Sequence, residues 1–393
     1  MTTDNGSTEL GLERLTENLQ RVEALTQRLL AAVSHKKPVR PALQGPGHDL
    51  FTKAATAYVT EMMSNPSRMI EQQIAYWGQS LQHFVDSQSA PADRRFSDPL
   101  WNEHPYFNFI KQQYLLNTKA METAVAQMDN LDTRERQKLD FFSRQIMDMF
   151  SPSNFLGTNP QALARAVETD GESLVRGLEN LVRDIEANNG DLMVTLADQG
   201  AFDVGSNIAT TPGKVVFRNH LFELIQYSPT TQTVQEVPLV IFPPWINKFY
   251  IMDLRPENSL VKWIVDQGFT LFVVSWVNPD ASMRDTGVET YIEDGFLTAI
   301  EQVKQICDVP QVNATGYCIG GTTLSLTLAL LAQRGDTSVK SATLFTTLTD
   351  FSDQGEMSVF LGNDFVDGIA DEVEEHGILD KFFMSRTFSF LRS

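Results

Sequence analysis

The residues best placed to do chemistry form a glycine-flanked cysteine in the stretch Gly-Tyr-Cys-Ile-Gly-Gly, residues 316–321. A strand-like run precedes this stretch and a helical run follows it. That is the context of a Gly-x-nucleophile-x-Gly elbow, with Cys318 in the place usually held by serine. The glycines allow a tight turn and a close approach of helix and strand. The turn would direct a helix N-terminus at the sulfur, which favours the thiolate form. The pattern therefore predicts that Cys318 is a nucleophile.

A nucleophile that attacks a carbonyl needs hydrogen-bond donors for the oxyanion, and the sequence offers two backbone N–H groups. The first belongs to Ile319, which directly follows the nucleophile. In folds with this elbow, the second comes from the loop after an early strand. Here that loop is Pro-Pro-Trp-Ile, so Trp245 or Ile246 is the candidate and we retain Ile246. The other cysteine, Cys307, lies on an apolar helical run and is predicted to be a core residue.

The elements that must position the elbow are predicted to alternate between strands and helices. Short apolar runs bounded by turn residues predict strands at 215–217, 222–227, 237–242, 269–275, 311–315 and 339–347. Helical spacing predicts helices at 288–303 and 319–334. Such alternation implies a mostly parallel sheet covered by helices.

The chain before residue 200 shows no strand-like run and is predicted to be mostly α-helical. Apolar residues recur at three- and four-residue steps from Leu12 to Val33, and again near helical spacing from Met62 to Phe84. Proline and glycine concentrate between these two stretches. The predicted organisation is an amphipathic helix at 1–33, a linker at 34–49, a helical domain at 50–200, and a core that carries the elbow at 201–350.

Composition and charge narrow the classes of partner. The chain has 393 residues, 42% of them hydrophobic and 21% charged, which is typical of a globular protein with more than one domain. Its formal net charge of −19 argues against nucleic acid and anionic membranes as general partners. Two cysteines provide neither a disulfide framework nor a four-thiolate zinc site, which fits a reducing, cytoplasmic setting. No run approaches about 18 consecutive apolar residues, so no transmembrane segment is expected.

Four longer motifs resemble the polyhydroxyalkanoate synthases. They are the elbow itself, Pro-Pro-Trp-Ile-Asn-Lys-Phe-Tyr-Ile-Met-Asp-Leu at 243–254, Ser-Pro-Ser-Asn-Phe-Leu-Gly-Thr-Asn-Pro at 151–160, and Glu-Leu-Ile-Gln-Tyr-Ser-Pro at 223–229. The resemblance runs from about Asp93 to the end of the chain. Tyr317 in the elbow and the strand at 344–351 are similar to the class I (poly-3-hydroxybutyrate) enzymes, which act on short acyl chains. Val277 departs from the family's Trp-Arg-Asn-Pro, so one basic residue near the site is absent.

The resemblance implies an α-helical N-terminal domain followed by an α/β-hydrolase-type domain with a mostly parallel sheet, in which residues 351–393 begin a cap region. It implies an acyltransferase that polymerises (R)-3-hydroxyacyl-CoA, such as 3-hydroxybutyryl-CoA, into polyester through a covalent thioester on Cys318. Coenzyme A is then carrier and product, and no cofactor or metal is expected. We expect substrate contacts from Trp245, Asn247 and Tyr317. The expected partners are the polymer granule and either a second copy or a full-length synthase.

The acid and the base that should serve Cys318 are not evident in the sequence. In this fold the chain order is nucleophile, acid, histidine. The 75 residues after Cys318 hold one histidine, His376, at a charged helix end. Asp350 follows the strand after the elbow helix and is expected to be structural. We therefore expect a C-terminally truncated synthase whose activity by itself is in question, with an open sheet edge and exposed apolar surface.

Two other functions stay open at this point. The chain could be a non-catalytic protein that binds the polymer granule or a synthase partner, with the apolar stripe from Met62 to Phe84 as the contact. It could also be a different thioesterase or acyltransferase with the same fold. The helical first half and the two longest motifs, at 243–254 and 151–160, weigh against that last interpretation.

Overall fold

The computed structural model describes residues 5–34, 93–126, 133–188, 200–246, 248–353, 355–360 and 363–379, together with positions 190, 192, 194–196, 198 and 384. The predicted linker beyond Ser34, the predicted helix at 50–87 and the site residue Asn247 lie outside the described residues. The chain divides into two compact units. We call 1–196 with 355–370 and 380–393 the helical unit, and 197–354 with 371–379 the α/β unit.

Helices make up the regular structure of the helical unit throughout its described residues, in agreement with the predicted α-helical first half. Its helices are α1 Asn5–Ser34, α2 Leu100–Glu103, α3 Pro105–Ala126, α4 Thr133–Met149, α5 Pro160–Glu168 and α6 Glu172–Ala187. Leu25 of α1 is buried against Val182 of α6. Ion pairs flank this contact: Arg21 pairs with Glu172 and Glu179, and Arg28 pairs with Glu186. The paired residues on each helix are seven positions apart, a spacing that returns side chains to the same helix face.

Strands and helices alternate in the α/β unit. The strands are β1 Gly213–Arg218, β2 Phe222–Tyr227, β3 Leu239–Phe242, β4 Asp253–Arg255, β5 Asn258–Ser259, β6 Leu271–Trp276, β7 Val312–Tyr317 and β8 Val339–Phe345. The helices are α7 Leu260–Asp266, the composite α8, and α9 Ile319–Arg334; α10 Asn363–His376 follows and runs from one unit into the other. Helix α8 consists of Val288–Thr290, a π-helical segment Tyr291–Leu297, and Thr298–Cys307.

The main sheet has the order β1-β2-β6-β3-β7-β8. Strands β6, β3, β7 and β8 are parallel, while β2 is antiparallel to both β1 and β6. This confirms the predicted α/β fold with a mostly parallel sheet. Because parallel strands end at the same edge, the loops after β6, β3, β7 and β8 all leave the sheet on one side. That edge is where α/β sheets bind ligands.

Helices bury both faces of the central strands. On one face, Val240 and Phe242 of β3 pack in a cluster with helices α8 and α9. On the other, Ile241 packs in a cluster with α7. Successive strand residues point to opposite faces, so a strand buried on both sides needs the continuous apolar run that predicted β3. The ring of Phe242 stacks on Phe296 of α8 at 4.2 Å between centroids, which fixes this helix over the sheet.

Strand β8 is the outermost strand of the described sheet. Six of its seven residues are exposed, including Leu344 and Phe345 near its carboxyl end. Strand β8 thus carries exposed apolar side chains within the described residues, while the expected truncation stays a prediction.

We predict that removing the Phe296 ring destabilises the α/β unit. This ring is fully buried, so Phe296→Ala should lower the free energy of unfolding by about 3–5 kcal/mol through lost burial and a residual cavity. Phe202 in the same unit is 60% exposed and provides the matched control, for which Phe202→Ala should cost about 0.5 kcal/mol or less. Denaturant titration followed by circular dichroism measures both. Equal losses in the two variants would contradict the packing described here.

Candidate active site

Cys318 occupies the turn between β7 and α9 with an unusual backbone. Its φ is +53° and its ψ is −125°, a combination that costs free energy for any residue with a Cβ atom. The N–H of Cys318 donates to the carbonyl of Phe345 at 2.9 Å, and its own carbonyl accepts from the N–H of Gly321 at 2.9 Å. The residue is exposed. These bonds fix the turn and leave Cys318 open to solvent.

The glycines of the elbow are required by close contacts with backbone atoms and with the side chain of Thr347. A Cβ atom on Gly316 would lie 2.4 Å from the Cα of Gly321. A Cβ atom on Gly320 would lie 2.5 Å from the carbonyl oxygen of Phe242, and one on Gly321 would lie 2.0 Å from Oγ1 of Thr347. Real Cβ atoms do not come this close to their neighbours. The first turn of α9 can therefore rest on the ends of β3 and β7 only because these three positions lack side chains.

The loop after β3 lies against the same helix turn. Strand register places Phe242 beside Gly316, and the two prolines that follow Phe242 are buried. The indole N–H of Trp245 donates to Oγ1 of Thr323 on α9 at 3.4 Å, a long bond that joins loop and helix. Ile246 is the first exposed residue of the loop. The loop that the sequence predicted to serve Cys318 therefore lies against the helix that follows Cys318.

The two predicted oxyanion donors lie on these two segments. Ile319 is the first residue of α9, where backbone N–H groups have no partner within the helix. Neither its N–H nor that of Ile246 donates a hydrogen bond within the part of the chain that the structure describes. The role of these two groups as an oxyanion hole stays a prediction.

Aromatic side chains fill the space beside the loop. The ring of Tyr291, the first residue of the π-helical segment, lies 5.4 Å from Trp245 and 5.5 Å from Trp276 between centroids. Burial raises the pKa of the Tyr291 phenol, which keeps it neutral. Nearby on the exposed rim, Nζ of Lys248 bonds to Oδ1 of Asn278, which ties the loop after β3 to the loop after β6. At the carboxyl edge of the parallel strands, the aromatic rings thus form an apolar surface, and Lys248 provides an exposed cationic side chain.

Tyr317, a predicted substrate contact, is half-buried at the end of β7, directly before the nucleophile. Trp245, another, is half-buried in the loop and packs on the core. These two therefore lie next to the elbow, although their contact with substrate stays a prediction.

No histidine or carboxylate bonds to Cys318 among the residues that the structure describes. Nδ1 of His376 lies 3.3 Å from a carboxylate oxygen of Glu372 on its own helix. Asp350 is exposed, and its side chain accepts from the N–H of Ser352 at 2.9 Å. That bond holds the pKa of Asp350 below its ordinary value. The contacts of Asp350 are those of a turn residue.

The second cysteine has different surroundings. Cys307 is half-buried at the end of α8 and packs against the main core cluster. Burial raises the pKa of its thiol, which disfavours the nucleophilic thiolate. It therefore serves as a matched comparison for Cys318.

Sequence reasoning missed several residues that hold the site together. Thr323 and Thr347 brace the elbow, and Trp276 and Tyr291 brace the loop after β3. The one signal available was Gly295, a glycine inside a helical run, which often has a packing reason. Within the described ranges, no group of three or more metal-ligating side chains is found, and no helix is long and apolar enough to cross a bilayer.

A cysteine in a tight turn between a parallel strand and a helix, in a sheet covered on both faces, is the architecture of the α/β-hydrolase fold. A family model described as alpha/beta hydrolase fold matches residues 237–381. A second model, described as the N-terminus of poly-beta-hydroxybutyrate polymerase (PhaC), matches residues 92–264. Residues 92–264 thus match the polyhydroxyalkanoate polymerase family, which confirms the resemblance drawn from the motifs.

Curated relatives support this assignment. The chain is 40% identical over 386 residues to a poly(3-hydroxyalkanoate) polymerase of Methylorubrum extorquens, covering 92% of this chain and 64% of that protein. It is 40% identical over 344 residues to the polymerase subunit PhaC of Rhizobium meliloti, covering 84% of this chain and 56% of that protein. It is 42% identical over 306 residues to the polymerase subunit PhaC of Cupriavidus necator, covering 76% of this chain and 51% of that protein. The chain thus spans about half to two thirds of the length of these relatives. Among solved structures, a Rhizomucor miehei esterase matches 47% of this chain and 59% of its own at 17% identity, with a TM-score of 0.31.

We predict that the elbow strain can be measured by comparing glycine with alanine. At Cys318, glycine relieves the cost of a Cβ atom at positive φ, so Cys318→Gly should be more stable than Cys318→Ala by about 1 kcal/mol. At Cys307, in a helix, alanine should be the more stable of the two. Denaturant titration of the four variants gives both differences. The same order at both positions would contradict the strained turn.

Proposed function

We propose that this chain is a polyhydroxyalkanoate polymerase in which Cys318 carries the acyl group as a covalent thioester. The observation that carries the proposal is the exposed cysteine at the apex of a strained strand–turn–helix elbow. Such strain persists where the surrounding structure enforces it, and it clusters at functional sites. The family match supports the reaction class, because the relatives are named as polymerases.

The proposed substrate is an (R)-3-hydroxyacyl-CoA. The Cys318 thiolate attacks the thioester carbonyl carbon and forms a new C–S bond, while the carbonyl oxygen becomes an oxyanion. The N–H groups of Ile319 and Ile246 donate to that oxygen. The bond to the CoA sulfur then breaks, and CoA leaves as a thiolate that takes up a proton. One thioester replaces another, so this step needs little driving force.

Polymer growth requires a second half-reaction. The hydroxyl of a 3-hydroxyacyl group attacks the acyl-enzyme carbonyl, gives its proton to a base, forms an ester and releases the Cys318 thiolate. We propose that this base and its acid are supplied by a second polypeptide, such as another copy or a full-length synthase. The chain by itself then acylates once and turns over slowly.

The acyl group is proposed to be short, with the half-buried Tyr317 and Trp245 among its contacts and Asn247 as a further one. The half-buried ring of Tyr291 and the buried ring of Trp276 leave less room beside Trp245 than smaller side chains would. We place the protein in the cytoplasm at the surface of the polymer granule, which is where its product would accumulate.

A second candidate function is a non-catalytic protein that binds the polymer granule or a polymerase partner. One observation favours it: within the described chain, no hydrogen bond or ion pair connects a histidine to Cys318. Under this alternative, the elbow would be a retained structural feature, and no acyl group would be transferred.

The proposal predicts a burst of CoA release. Purified chain mixed with excess (R)-3-hydroxybutyryl-CoA should release about one equivalent of CoA per chain, because acylation needs only the elbow. Cys318→Ala should abolish the burst, and Cys307→Ala should retain it. CoA is quantified by chromatography, so protein thiols do not interfere.

The other outcomes of this assay separate the alternatives. Sustained release that depends on Cys318, with polyester as product, would mean that a base lies within these 393 residues. Release of free 3-hydroxybutyrate instead of polymer would indicate a thioesterase. No release from an intact, folded chain would contradict the acyltransferase proposal and favour the granule-binding function.

A further inference from the structure

Trp276, the last residue of β6, makes a buried hydrogen bond across the sheet edge. Its indole N–H donates to the carbonyl oxygen of Pro243 at 2.8 Å, and the side chain is 8% exposed. A buried bond of this kind has no competing water, and losing the donor would leave the carbonyl without this partner. The bond therefore fixes the position of the Pro243 peptide.

The Pro243 peptide is the point where the loop after β3 touches the nucleophile helix. A Cβ atom on Gly320 would lie 2.8 Å from the Pro243 oxygen and 3.0 Å from its carbonyl carbon. Pro244 follows and has no N–H to donate. Ile246, three residues after the fixed carbonyl, is the next exposed residue of the loop. Holding Pro243 therefore limits where the Ile246 N–H can point.

The other side of the Trp276 indole rests on the π-helical segment of α8. Its centroid lies 5.5 Å from those of Tyr291 and Phe296, and a Cβ atom on Gly295 would lie 3.0 Å from the indole Cζ3. The side chain of Asn219 donates to the carbonyl of Asp294 at 2.8 Å, which satisfies a backbone group of this irregular turn. π-Helical turns are rare and are frequently found at functional sites. Because Gly295 has no side chain, the indole of Trp276 can pack closely against this segment.

We infer that Trp276 is a positioning residue for acyl transfer. It holds the loop after β3 against the first turn of α9, so that the Ile246 N–H meets the oxyanion that forms at Cys318. This inference rests on the function proposed above. Trp276 acts through Pro243 and contacts no reacting atom, so its loss should slow the chemical step and leave binding of the substrate largely unchanged.

The test compares Trp276→Phe, which keeps an aromatic ring and removes the N–H, with Trp263→Phe. Trp263 lies on α7, is 59% exposed and serves as the matched control. Single-turnover CoA release from (R)-3-hydroxybutyryl-CoA should fall by about 10–100-fold in Trp276→Phe, since a misplaced oxyanion donor costs this much or more. The half-saturating substrate concentration should stay within about twofold.

Alkylation separates positioning from a general loss of structure. Iodoacetamide reacts with Cys318 by direct displacement and forms no oxyanion, so in a Cys307→Ala background its rate should change by less than about twofold. Gly295→Ala provides a second variant, because it keeps the Trp276 indole and places a Cβ atom 3.0 Å from its Cζ3. It should slow acylation in the same direction and by a smaller factor.

Each outcome decides between the claims. Equal acylation in Trp276→Phe and Trp263→Phe would overturn the inference, as would a parallel loss of acylation and alkylation. If the wild-type chain releases no CoA, the proposed function fails, and hydrogen–deuterium exchange of residues 243–250 then decides the role of Trp276. Faster exchange there in Trp276→Phe than in Trp263→Phe supports the anchor, and unchanged exchange overturns it.

Discussion

The α/β unit depends on one close contact, in which the first turn of α9 rests on the ends of β3 and β7 with no side chain between them. Gly316, Gly320 and Gly321 make this approach possible, and any Cβ atom there would meet backbone or Thr347 within 2.5 Å. The approach forces Cys318 into a strained conformation. Packing elsewhere in the unit must offset the free-energy cost of that strain. The apolar clusters on both faces of the sheet provide this packing.

The same contact explains why the loop after β3 belongs to the site. Because Gly320 touches the Phe242 and Pro243 carbonyls, the loop can be braced from the helix through Trp245 and from β6 through Trp276. The two N–H groups proposed for the oxyanion therefore lie on two segments that are fixed against each other. Rigid placement of this kind is what electrostatic stabilisation of a transition state needs.

Much of this arrangement could be predicted from the sequence, and the rest could not, for identifiable reasons. Strand β2 and helix α9 match their predicted bounds because apolar spacing and flanking turn residues are local signals. The cysteine turn could be predicted because its glycines and its strand–helix context are local too. Strand order, the π-helical segment of α8 and the Trp276–Pro243 bond depend on contacts between distant residues. Asn247 lies outside the described residues, so its predicted role stays open.

The central claim is that Cys318 itself becomes acylated. The most direct test incubates the chain with (R)-3-hydroxybutyryl-CoA, quenches it in acid, digests it and maps the adduct by tandem mass spectrometry. The account predicts one hydroxybutyryl group, removable by neutral hydroxylamine as a thioester should be, on the peptide that carries Cys318. An adduct on Cys307, or an unmodified Cys318 peptide from a chain that has released CoA, would contradict it.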